Sequence, residues 1–234
     1  RAFLQSLGLF EPITLEVPEL ARPIIPRVWP ELTTMTVAYG HGISVSPLHL
    51  INAIATTVHD GSLHPMTLVK GGNEGKAAIK HVVSQKTIAN MRDLLRLVVM
   101  YGTAKSANAP GYDVGGKTGT AEKNTAGVYD KNAKVASFVG VFPMAQPRYA
   151  ILVMVDEPKG NQSTYGFATG GWISAPVAGR VVQRIAPLLA MQPNFNPDDE
   201  RVNQNWARVQ GRMKASQIAR ENNLTKEAVR AASF

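Results

Sequence analysis

Ten consecutive residues, Val114-Gly115-Gly116-Lys117-Thr118-Gly119-Thr120-Ala121-Glu122-Lys123, combine a lysine, small residues and two hydroxyls in a way that packing alone does not explain. If the run is an edge strand facing a cleft, Lys117 and Gly119 fall on one face and Thr118 and Thr120 on the other. Gly119 carries no side chain, so a substrate backbone can lie against the strand and pair with its N–H and C=O groups. Gly115 and Gly116 keep the approach equally bare. Lys117 brings a compact cation, and the two threonine hydroxyls can donate to a carboxylate or carbonyl oxygen. The run is an anion-binding rail with no nucleophile beside a base. Taken alone, a Lys-Thr-Gly tripeptide also fits a glycine-rich turn entering a strand with a solvated lysine, so the surrounding elements have to decide.

Those elements begin with residues 1–9, where Phe3, Leu4, Leu7 and Leu9 predict the end of a helix closed by Gly8. Pro12, Pro18, Pro23, Pro26 and Pro30 forbid a long helix or central strand and predict a surface excursion over residues 11–31, with Trp29 to pin it. Thr33 to Ala38 is short and β-branched and leads into a Gly40-His41-Gly42 turn. Ser46 and Pro47 are a cap and first residue for a helix running through His59, with Leu48, Ile51, Ala55 and Val58 on its apolar face. A short strand is expected at residues 63–69 and a loop at 71–75. A second helix, capped by Ser84 and ended by Gly102, buries Ile88, Met91, Leu95 and Val98. After the lysine run, residues 124–134 read as a hairpin loop, and 135–142 and 149–155 as strands joined by a turn. Residues 114–123 and these two strands make an antiparallel meander. Residues 156–171 form a loop able to overhang the cleft, and a helix from Ser174 to about Ala190 turns Val177, Val181, Ile185 and Leu188 inward, bent late by Pro187. The pattern is that of an α+β domain, with helices packed on an antiparallel sheet.

Composition is ordinary for a globular chain: 234 residues, 44% hydrophobic and 18% charged, enough for one sizeable core. The longest apolar run, residues 149–155, is far short of the ~18 residues that span a bilayer. With no cysteine, disulfides and thiolate chemistry are excluded. The net charge of +8 is scattered, with 18 basic against 12 acidic residues up to Asn194 and 7 against 5 beyond it, which argues against a dense nucleic-acid-binding block. The start at Arg1 is expected to be a cut and not a native terminus.

The run Lys117-Thr-Gly-Thr-Ala-Glu-Lys123 resembles the Lys-Thr-Gly box of penicillin-binding proteins and serine β-lactamases, in its transpeptidase form. A second landmark, Tyr39-Gly40-His41-Gly42-Ile43-Ser44-Val45-Ser46-Pro47-Leu48-His49-Leu50, is similar to the Gly-x-Gly-x-x-x-(Ser/Thr)-Pro-Leu-x-Leu segment of class B, monofunctional penicillin-binding proteins. The resemblance covers residues 1 to about 191. It implies a five-stranded sheet between helical layers, and a D,D-transpeptidase that cross-links peptidoglycan at division by an acyl-serine mechanism. It further implies that Lys117 supports the proton network, that Thr118, Gly119 and Thr120 bind substrate, and that the Thr120 backbone N–H supplies part of an oxyanion hole. The implied partners are the D-Ala-D-Ala stem peptide, β-lactams, upstream parts of the same protein and division proteins, at the periplasmic face of the inner membrane. No cofactor, metal or nucleic acid is expected.

Two of the family's three boxes do not occur here. None of the chain's serines has a lysine three residues later, so no Ser-x-x-Lys is present. Ser106-Ala107-Asn108 has the form Ser-x-Asn, but it lies nine residues before the lysine box where the family leaves well over a hundred, and is read as coincidence. Both missing boxes are expected upstream of Arg1, which leaves the isolated chain inactive. Among the histidines, His59 and His64 lack a carboxylate cluster for a metal, and His41 reads as a turn residue beside the second landmark. The chain divides at 1–194, the transpeptidase portion, and 195–234, a polar helical or disordered extension. In that extension Asn196 to Glu200 starts a helix, and residues 215–230 suggest two short helices around Asn222-Asn223, with Ile218, Leu224 and Val229 as anchors. The alternatives are a non-catalytic module of the same fold, or a DNA binder acting through this tail.

Overall fold

The computed structural model describes residues 1–72, 76–125, 128–195 and 199–231, without the side chains of 124–125, 128–129, 131–132, 218–219 and 221–231. The chain forms two compact units, Arg1–Pro197 and Asp198–Phe234. Helix α1 (Ala2–Ser6) is closed by Gly8 at φ +74°, a left-handed conformation that glycine adopts without strain. The proline-rich excursion that follows has no strand or helix of its own and is tied down at its middle. There Glu16 accepts from the Leu68 N–H at 2.9 Å and from the Thr67 hydroxyl.

The β-branched run at Thr33 to Ala38 lies in a helix, α2 (Glu31–Ala38), because Pro30 supplies an extended entry and Glu31 sits in the first turn. Helix α3 (Pro47–Val58) is capped by Ser46, whose hydroxyl oxygen accepts from the His49 N–H. The expected strand at 63–69 is a correction: only the short strand β1 (Ser62–Leu63) forms, paired antiparallel with β2 (Lys80–His81), since Pro65 interrupts the run. The expected loop at 71–75 lies partly outside the described residues. Helix α4 (Gln85–Tyr101) is capped by Ser84 and buries Ile88, Leu95 and Val99.

The meander is present as expected. Strands β3 (Gly115–Thr125), β4 (Val128–Phe142) and β5 (Tyr149–Asp156) run in the order β3-β4-β5, each pair antiparallel. The sheet has three strands among the described residues, where the family resemblance implied five. The expected hairpin loop at 124–134 is also corrected: the ladder continues to Thr125↔Val128, past a register shift between Glu122 and Lys123. At that shift the partners step from Glu122↔Lys134 to Lys123↔Asp130, so β4 carries three extra residues, 131–133, on its side of the ladder.

Alternation then sorts the sheet. On one face Val114, Phe138 and Phe142 are buried against helix α5 (Ser174–Leu188), whose Ala175, Ala178, Val182 and Ala186 form a flat inward stripe. On the other, Val141 packs with Val58 of α3 and Leu95 of α4. Burying side chains of this size fully stabilises by about 1.5–3 kcal/mol each, before ordering entropy is subtracted. In the second unit, α6 (Glu200–Ala231) is one continuous helix, where two short ones were expected around Asn222-Asn223. The helix-starting residues Asn196 to Asp198 and the side chains of Ile218, Leu224 and Val229 lie outside the described residues.

Candidate functional site

Strand β3 pairs with β4 on one side and with no other strand among the described residues, so its second edge is open along Lys117 to Thr120. The two faces expected from alternation are separated. The Thr118 hydroxyl meets that of Thr103 at 2.8 Å, and the Thr120 hydroxyl accepts from the Gly170 N–H at 3.0 Å. On the opposite face, a Cβ added at Gly119 would stand 2.5 Å from the Ser137 hydroxyl, so the bare position also serves a close cross-strand fit. The Lys117 side chain is exposed, and its ammonium donates to the Thr118 carbonyl at 2.8 Å without an ion pair among the described residues. Antiparallel ladders point the N–H and C=O of alternate residues the same way, so Thr120 presents its backbone groups to the same edge as Thr118.

Lys123 is a useful contrast on the same strand. Its ammonium donates to Glu157 at 2.9 Å and to Asp156 at 3.0 Å, and these hydrogen bonds hold its pKa above the ordinary value. Lys123 is engaged by the protein itself, whereas Lys117 keeps its charge available to a ligand.

What fixes the rail is a set of contacts that the motifs did not announce. Arg96 of α4 forms an ion pair with Asp113 at 3.0 Å and donates to the Asn108 amide oxygen and the Val114 carbonyl at 3.0 and 2.9 Å. Asp113 in turn accepts from the Ala145 N–H at 2.9 Å. This clasp sets where β3 begins. The loop of residues 157–173 is set just as tightly, because a Cβ at Gly170 would fall 2.3 Å from the Ser137 carbonyl oxygen and 2.5 Å from that of Gly119. Ser174 anchors the loop's end by donating to the Ala136 carbonyl at 2.9 Å. The loop thus overhangs the rail, as its sequence suggested. Ser106 and Asn108 hold structural bonds, Ser106 to the Gly171 carbonyl at 2.8 Å and Asn108 to Arg96.

Two cavities flank the strand. One, of about 570 Å³, lies between Lys117, Gly119 and Ser137 on one wall and Tyr39, His41 and Ser46 on the other, so the two sequence landmarks face each other across it. The second, of about 890 Å³, is lined by Thr118 and Thr120 together with Thr103, Trp172 and Arg180. A carboxylate between the two threonines would meet hydroxyl donors, and a carbonyl at Thr120 would meet a backbone N–H.

Two of the histidines have local partners. His49 is buried, with its ring nitrogens 2.7 Å from the Ser46 hydroxyl and 2.9 Å from the Glu11 carbonyl oxygen. His64 pairs with Asp60 at 2.7 Å; burial raises the Asp60 pKa, but the hydrogen bonds from His64 and the Ser62 N–H outweigh it and leave the carboxyl below its usual value. Among the described residues no group of three His, Cys, Asp or Glu could hold a metal ion, and no helix is long and apolar enough to cross a membrane.

The family model of the penicillin binding protein transpeptidase domain matches residues 1–183. "Probable peptidoglycan D,D-transpeptidase FtsI" of Caulobacter vibrioides is 40% identical over 199 residues, covering 81% of this chain and 34% of its own length. Stage V sporulation protein D of Bacillus subtilis is 34% identical over 182 residues, covering 74% of this chain and 27% of its own. The chain thus spans about a third of the length of these relatives. Among solved structures, the apo transpeptidase domain of penicillin-binding protein 3 from Burkholderia pseudomallei superposes with a TM-score of 0.72 at 35% identity, covering 83% of this chain and 58% of that one.

Proposed function

Because the chain belongs to the family of penicillin-binding protein transpeptidase domains, we propose that it supplies the substrate-binding wall of a peptidoglycan D,D-transpeptidase that works through an acyl-serine. Thr118 and Thr120 hold the terminal carboxylate of a D-Ala-D-Ala stem peptide or of a β-lactam. Gly119 leaves the strand bare for the peptide backbone. The Thr120 N–H polarises the scissile carbonyl, a contribution whose loss typically costs about 10²–10³ in rate. Lys117 supports proton transfer to and from the attacking serine. That serine and its lysine belong to a Ser-x-x-Lys outside these 234 residues. The peptide carbonyl carbon forms an ester with the serine oxygen, D-alanine leaves with the proton, and an amine of a neighbouring stem peptide displaces the serine. The enzyme acts in division, at the periplasmic face of the inner membrane, without a cofactor.

The observation that carries this reading is the meeting of the two landmarks, Lys117 and Ser46, across one cavity beside an open strand edge. Labelling by a fluorescent penicillin tests it. In the full-length protein, Lys117→Ala is expected to lower the acylation rate by about 10²-fold or more, in the range of lost acid–base catalysis. Stability should change by less than about 1 kcal/mol, because the side chain is exposed and makes no ion pair among the described residues. Labelling at the wild-type rate would refute the role given to Lys117.

A further inference from the structure

The 890 Å³ cavity does not end at the threonines. Its lining continues past Thr118 to Thr103, Lys105, Ser106 and Arg180, and its described residues include seven hydroxyl side chains and no carboxylate. Neither Lys105 nor Arg180 has a side-chain hydrogen bond or ion pair among the described residues. Their backbone positions are set by close packing. Gly179 brings α5 onto the turn at Lys105–Ala107 so closely that a Cβ there would fall 2.9 Å from the Ser106 carbonyl oxygen, and Ser106 is itself bonded to Gly171. Trp172 forms an apolar wall, stacked on Phe167 with centroids 5.8 Å apart and met edge-on by Tyr165 at 5.6 Å.

A donor peptide whose terminal carboxylate sits on Thr118 and Thr120 has no atoms beyond that carboxylate. A cavity that runs on, with two unneutralised cations and an aromatic wall, is shaped for something else that is anionic and partly aliphatic. We infer that Lys105 and Arg180 bind a carboxylate of the acceptor, the amine-bearing peptide that resolves the acyl-enzyme, while its aliphatic part lies on Trp172. This rests on the transpeptidase reading. In the step concerned, the acceptor nitrogen forms an amide bond to the acyl carbon, the ester bond to serine breaks, and the proton lost by the amine returns to the serine oxygen. Two cations nearby also disfavour the ammonium form of the acceptor, which keeps its amine nucleophilic.

The test is the ratio of aminolysis to hydrolysis of a single acyl-enzyme, formed on the full-length protein from an N-acyl-D-alanyl thioester. Being a partition, the ratio does not depend on how fast the acyl-enzyme forms. The acceptors are D-alanine, whose amine stands beside a carboxylate, and D-alaninamide, which lacks the charge. The wild type should favour D-alanine, and the preference should weaken with added salt as the charges are screened. In the double variant Lys105→Gln, Arg180→Gln, the ratio with D-alanine should fall about five- to tenfold, the scale of two partly exposed charge contacts. It should hold with D-alaninamide, and Lys105→Arg with Arg180→Lys should restore it. An unchanged ratio, an equal fall with both acceptors, or no wild-type preference for D-alanine would overturn the inference. A wild-type protein that no penicillin acylates would overturn the transpeptidase reading first, and this inference with it.

Discussion

The residues proposed for the chemistry of this chain differ from those that hold it in place, and the second group is the less visible. Lys117, Thr118 and Thr120 stand out by type and spacing. Arg96 and Asp113 do not, because a helical arginine and a turn aspartate usually lie in solvent; only the fold shows their side chains 8% and 12% exposed and 3.0 Å apart. Removing one partner of such a pair leaves the other buried without compensation. Arg96→Met is therefore expected to lower the free energy of unfolding by about 3 kcal/mol in urea denaturation, since it strands Asp113, the Asn108 amide and the Val114 carbonyl together. A loss under about 1 kcal/mol, the value of an exposed ion pair, would mean that the clasp does not position β3. Thr103 and Gly170, which engage the two threonine hydroxyls, are equally silent in the sequence. Neither lies within a motif, and each acts through a partner at least 15 residues away.

Elements with a strong period or a cap are legible, and elements decided by tertiary pairing are not. Helices α3 and α4 begin at Ser46 and Ser84 because a serine followed by an apolar stripe at helical spacing leaves few alternatives. Residues 124–134 read as a loop because polar composition signals one, whereas at 124–125 and 128–134, the described part of that range, the backbone runs on as strand whatever its side chains prefer. The excursion over residues 11–31 is recognisable by its prolines, but its tether is not. Glu16 accepts from the Leu68 N–H and the Thr67 hydroxyl, and these bonds, the backbone one first, hold its carboxyl below the usual range. A depressed folded pKa contributes stability that is fully present above the unfolded value, about 4.3, and is lost as the pH falls through the folded one. The amide protection factor of Leu68 should accordingly drop as the pH is lowered below about 4.3, and Glu16→Gln should remove the pH dependence. Protection that ignores pH in the wild type would show that the tether does not hold in solution.

For the molecule as a whole, the open edges of the sheet matter most. Strand β3 leaves one edge open, and β5, paired with β4 along all eight of its residues, leaves its outer edge without a partner strand among the described residues, with Met154 half exposed. An uncovered strand edge of that length invites pairing with another chain. The 234-residue chain by itself should therefore self-associate with rising concentration in light scattering, and the full-length protein should remain monodisperse. An isolated chain that stays monomeric at high concentration would show that the β5 edge needs no cover. The family, the α+β class and the meander can be read from sequence, since two spaced landmarks and three strand-like runs suffice for them. The extent of the sheet and the way α5 closes one cavity wall cannot, because both depend on which surfaces remain unpaired after folding.

If these residues form the wall of an acylating site and not its nucleophile, peptide mapping and mass spectrometry of the full-length protein after exposure to a penicillin will show where the acyl group goes. A single adduct is expected, on the serine of a Ser-x-x-Lys outside residues 1–234. An adduct on any serine within this chain, Ser46 or Ser137 above all because both line the cavity with Lys117, would place the nucleophile inside residues 1–234 and refute the role proposed for the strand.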